Sequence, residues 1–108
     1  MSPRFPDVLY DLLCARAQSI GVIDIVFDAD DSFVDAEITF SAGPGIGFSI
    51  DLAAGVCQYC ELIAESEERW LGDRIEQLAV ESGEAGDLQD AALEVLNGML
   101  AARRSLQG

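Results

Sequence analysis

An α+β fold is predicted for this chain of 108 residues by three patterns: apolar positions at helical spacing towards each end, alternating apolar and acidic residues in between, and turn residues separating the alternating runs. The arrangement expected is one domain over residues 1–108, an antiparallel sheet of three or four strands packed on one face by an N-terminal helix and two C-terminal helices. Apolar residues make up 50% of the chain, enough for a modest core without help from disulfides or metal.

From Phe5 to about Ser19, Phe5, Val8, Leu9, Leu12 and Leu13 recur at helical spacing, Pro6 suits a first turn, and Gly21 ends the helix. Val22 to Phe27 then alternates, with Ile23, Ile25 and Phe27 on one face and Asp24 on the other. Asp28 to Ser32 carries turn chemistry, after which Val34, Ala36, Ile38 and Phe40 alternate with Asp35, Glu37 and Thr39. The two runs predict a hairpin with one apolar and one acidic face. Ser41 to Gly45 is a loop, and Ile46, Phe48, Ile50 and Leu52 mark a third strand.

Asp51 to Gly55 reads as a tight turn ending in a left-handed glycine and leading Val56 to Ile63 into a fourth strand. Val56, Tyr59, Cys60 and Ile63 fit a helical period as well as they fit a strand, so the segment can equally start a helix. After Ser66, Trp70, Leu71, Ile75 and Leu78 predict a helix with Glu67 and Glu68 in its first turn, Trp70 as its core anchor, and Ser82 and Gly83 at its end. Asp87 caps a last helix with Leu88, Ala92, Val95, Leu96, Met99 and Leu100 buried and Arg103 and Arg104 at the negative end of its dipole. The residues beyond are expected to fray.

Charge is the most informative property. Twenty acidic residues face six arginines, with no lysine and no histidine, for a formal charge of -14. Between Arg16 and Arg69 stand eleven carboxylates and no basic residue. Such a field repels DNA, RNA and anionic membranes, so direct nucleic-acid or membrane binding is not expected, and it attracts basic surfaces. No apolar run reaches the roughly 18 residues of a membrane span, and no charged-then-apolar leader opens the chain, so a cytoplasmic location is expected. Three cysteines without a secretory signal point to reduced thiols.

The absence of histidine removes the usual base for a serine or cysteine nucleophile. A zinc site lacks ligands, with only Cys14, Cys57 and Cys60 on offer, and no metal or other cofactor is expected. Asp28-Ala29-Asp30-Asp31-Ser32 places oxygens like the start of a calcium loop, but Phe33 stands where that loop needs glycine and Thr39 where it needs a bidentate glutamate.

Cys57-Gln58-Tyr59-Cys60 is a CxxC motif, and Ser49 to Ala64 resembles the active-site segment of thioredoxin: strand, Asp51, alanines, CxxC and a following apolar run. The resemblance implies a small thiol redox protein using Cys57 and Cys60. It covers this segment alone, because all three prolines precede Cys57 whereas a thioredoxin-like fold enters a later strand through a cis-proline.

A non-enzymatic reading follows from charge and size. Duplex DNA carries one charge per about 1.7 Å, so 14 net charges match about 24 Å of duplex, comparable to the width of such a domain. In size and charge the chain resembles the small phage or plasmid inhibitors that disable CRISPR or restriction complexes; nuclease immunity proteins and small acidic secretion chaperones or adaptors share that signature. The expected partner is a basic, nucleic-acid-binding protein, and a homodimer is left open. The carboxylates expected to meet the partner are Asp24, Asp28, Asp30, Asp31, Asp35, Glu37, Glu76, Glu84, Asp90 and Glu94.

Overall fold

A computed structural model describes residues 4–64, 67–78 and 85–107. The element order is α1 (Phe5–Ile20), β1 (Val22–Ala29), β2 (Phe33–Phe40), β3 (Gly45–Asp51), β4 (Val56–Ala64), β5 (Glu67–Gln77) and α2 (Ala85–Gln107). The strands form a five-stranded antiparallel meander in the order β1-β2-β3-β4-β5, and the helices pack against each other and on one face of it. The α+β class is as the patterns predict. Among the described residues the strand number is five, against three or four expected, and the helices are two, against three.

α1 begins with Pro6 in its first turn and closes at Gly21, whose φ of 80° is the left-handed conformation that glycine adopts without strain. Its buried residues Phe5, Leu9, Leu12 and Leu13 face the core. β2 alternates strictly, with Val34, Ala36, Ile38 and Phe40 buried and Phe33, Asp35, Glu37 and Thr39 exposed. β1 departs from the expected pattern at its start. A bulge between Val22 and Asp24 turns Ile23 out to 66% exposure, and Val22, Ile25 and Phe27 pack towards the core instead.

The ambiguous segment is a strand. Asp51 builds the turn before it: its Oδ1 accepts from the Ala53 and Ala54 amides at 3.0 and 3.1 Å, the Gly55 amide donates to the Asp51 carbonyl at 2.8 Å, and Gly55 takes φ 69°. Leu52 belongs to this turn and not to the third strand. From β4, Cys57 and Tyr59 point into the core, where the Tyr59 hydroxyl donates to the Val95 carbonyl of α2 at 3.0 Å and the ring meets Phe48 edge-on.

The helix expected around Trp70 is β5. Gln58 pairs with Ile75 and Cys60 with Trp70, so residues 71–74 of β5 stand opposite Tyr59 alone. A bulge of that size destroys the period of two that would have identified a strand and leaves apolar residues at spacings that mimic a helix. Pairing with β4 overrides the helical preference of Glu, Arg, Leu and Gln. The expected end at Ser82 and Gly83 lies outside the described residues.

α2 starts at Ala85, with Asp87 in its first turn, and runs through Ser105 to Gln107, where fraying was expected. Leu88, Ala92, Val95, Leu96 and Met99 are buried against the sheet, and Asp87, Asp90, Glu94 and Asn97 face outward. Near its end, the Arg103 guanidinium lies 3.9 Å over the Phe40 ring and donates to the Pro44 and Ala42 carbonyls, tying the β2–β3 loop to the helix. With both helices on one face, the described residues leave the other face of the sheet open.

Candidate functional site

Period-two alternation decides what the open face carries. β1 contributes Asp24, Val26 and Asp28; β2 contributes Phe33, Asp35, Glu37 and Thr39. Register extends one row across all five strands: Val26 opposite Glu37, Glu37 opposite Gly47, Gly47 opposite Cys60, and Cys60 opposite Trp70. Along this row lies a cavity of 340 Å³, walled by Val26, Asp28, Asp35, Glu37, Glu68 and Trp70.

Glycine makes the hollow. A Cβ on Gly47 would lie 2.7 Å from the Cys60 sulfur and 3.2 Å from the Ala36 carbonyl oxygen, and one on Gly45 would lie 3.2 Å from the Leu62 side chain. Gly45 at the start of β3 and Gly47 within it therefore let Leu62 and Cys60 lie close over its backbone, a close approach that strand glycines often mark. Cys60 is only 2% exposed and forms the floor, while Val26 and Trp70 rise beside it at 53% and 48% exposure. Large apolar groups thus stand exposed among carboxylates.

The Cys60 thiol is pushed up to about 12, first by burial, then by the charge of Glu68 and a hydrogen bond to it, and further by the charge of Glu37. It stays protonated at neutral pH and donates to Glu68 Oε2 at 3.7 Å. Cys57 lies on the opposite face, in the core. Three residues of strand separate the two α-carbons by about 10 Å, beyond the roughly 7 Å that a disulfide spans. The CxxC motif therefore does not bring its thiols together, and the local resemblance to thioredoxin ends at the sequence, because a strand stands where thioredoxin has its helix.

Of the carboxylates expected to meet a partner, the fold unites Asp24, Asp28, Asp35 and Glu37 on the open face. Asp30 and Asp31 sit at the adjoining β1–β2 hairpin tip. Asp30 Oδ1 accepts from the Ser32 and Phe33 amides at 2.7 and 2.8 Å, and these bonds, that to Phe33 foremost, hold its carboxyl below the usual range. Its oxygen is thus engaged by the turn that the calcium-loop pattern suggested as a ligand loop. Asp31 pairs with Arg4 at 3.1 Å, both exposed. Asp90 and Glu94 do not join the group, since α2 covers the other face of the sheet and turns them outward. Glu76 lies in β5 opposite Cys57 in register, and Glu84 lies outside the described residues. Glu68, Trp70, Val26 and Cys60 belong to the face without having been expected there.

The described arginines are placed elsewhere. Among the described residues Arg4 pairs with the hairpin tip, Arg69 pairs with Glu61 at 2.6 Å, and Arg103 is held by the β2–β3 loop. Arg16 in α1 and Arg104 in α2 are interspersed with the carboxylates of those helices.

No family model matches the chain, and no curated protein or solved structure matches it. The case for function therefore rests on the open face. None of the helices among the described residues is long and apolar enough to cross a membrane.

Proposed function

We propose that this protein is a non-enzymatic acidic interaction protein that covers a basic, nucleic-acid-binding surface of a partner with the open face of its sheet, acting as an inhibitor of the anti-CRISPR or anti-restriction type or as a nuclease immunity protein. The observation that carries the reading is the segregation of charge: Asp24, Asp28, Asp35, Glu37 and Glu68 share a face on which no described arginine lies, whereas the helical side mixes both signs. A sheet holds such charges at fixed spacing, so the cost of ordering them on binding is small. The molecule measures 39 × 28 × 23 Å, so its face is commensurate with the stretch of duplex its net charge matches. Steering by the summed field would give fast, salt-sensitive association.

The test is capture of partners from a host lysate at low and moderate salt, followed by competition with duplex DNA. Captured proteins that bind DNA, and that DNA releases, support the reading. Complexes that withstand both salt and DNA contradict it.

A further inference from the structure

We propose that the hollow over Gly47 receives an arginine side chain of the partner, its guanidinium seated between the Trp70 indole and the carboxylates of Glu37 and Glu68; the inference rests on the open face being the partner-binding surface. Space comes first. Glu37 and Trp70 stand on β2 and β5, three strand spacings or about 14 Å apart at the backbone. Between them Gly47 has no side chain and Cys60 lies flat and 2% exposed, so the floor is low and the walls are high. The hollow, open to solvent on one side, has a volume of 340 Å³, at the small end of the range for ligand pockets, about 300–1,000 Å³, which suits one side-chain head and not a folded element.

Chemistry selects the head. Among the described residues, every charged group that lines the hollow is a carboxylate, so the occupant is cationic. It is not a metal ion, because among the described residues no three carboxylate or thiol groups come close enough to hold one. The remaining wall is a half-exposed indole, the best aromatic partner for a cation over its face. A guanidinium is flat, weakly hydrated and forked: its face can stack on the indole while its edge donates two parallel hydrogen bonds to a carboxylate. An ammonium, compact and strongly hydrated, makes one of these contacts at the expense of the other.

The experiment compares two labelled peptides of equal length and charge, one alternating arginine with serine and the other lysine with serine, binding to the full chain by fluorescence anisotropy. The arginine peptide is expected to bind about tenfold more tightly, and Trp70→Leu to abolish that preference while both peptides keep their salt-dependent binding. Trp70→Tyr, which keeps an aromatic face, retains the preference. Trp70 is the sole tryptophan, so the emission of the unaltered chain gives a second readout: it changes with the arginine peptide and not with the lysine peptide. Equal affinities for the two peptides, or a preference that survives Trp70→Leu, overturns the arginine site and leaves the acidic-face reading intact. If neither peptide binds at low salt, the acidic-face reading itself falls.

Discussion

Gly47 and Cys60 occupy each other's space, and the shape of the open face depends on that pair. Gly47→Ala puts a methyl 2.7 Å from the sulfur, so either β4 shifts or Cys60 leaves its rotamer, at about 1–3 kcal/mol. Chemical denaturation should show that loss, and Gly47→Ala combined with Cys60→Ala should recover at least half of it; additivity of the two changes would mean that they do not meet. Cys60 also has a pH signature. Its thiol stays neutral in the fold up to about pH 12 but ionises near its ordinary 9.0 when unfolded, so the stability it contributes is complete below pH 9.0 and is lost as the pH rises from 9.0 towards 12. Thermal unfolding followed through that window should fall less steeply for Cys60→Ala than for the unaltered chain. Among the thiols, exposed Cys14 should react with a maleimide in the native state, and buried Cys57 and Cys60 only on unfolding.

At the level of elements, the chain just beyond β5 is tied to the turn that precedes β4, beside the strand pairing itself. The Leu78 amide donates to the Gly55 carbonyl at 2.6 Å, and a Cβ on Gly55 would lie 2.5 Å from the Leu78 oxygen. With φ at 69° as well, Gly55→Ala should cost about 2 kcal/mol, and hydrogen exchange should show β5 amides losing protection before those of β2 and β3. How far each element could be read in advance follows from its pattern. β2 alternates without interruption, so its faces, and with them Asp35 and Glu37, are legible from the residues. β1 is legible from Asp24 on and misleads at Ile23, where the bulge reverses the faces. β5 is illegible as a strand because residues 71–74 bulge out opposite one partner, a feature set by pairing with β4 and not by local preference. The site divides the same way: its β1 and β2 carboxylates could be foreseen, while Glu68, Trp70 and the glycine-floored hollow required the register of β3, β4 and β5. Asp90 and Glu94 were grouped with them because outward-facing acids on a helix carry no mark of which side of the molecule they occupy.

For the whole molecule, the net charge of -14 sets the long-range field, and on the proposed function the segregation of that charge sets which surface a partner would meet. The two effects separate experimentally, because charge can be removed equally from either side. Asp35→Asn, Glu37→Gln and Glu68→Gln together remove three charges from the open face, and Asp87→Asn, Asp90→Asn and Glu94→Gln remove three from α2. The affinity of each triple variant for an arginine-rich peptide, measured across a salt series, is the most direct test of the account. Neutralising the open face should weaken binding at low salt by at least about tenfold and flatten its salt dependence, while the α2 variant stays within about twofold of the unaltered chain. Equal losses in the two variants would show that only total charge matters and would contradict the assignment of function to the open face of the sheet.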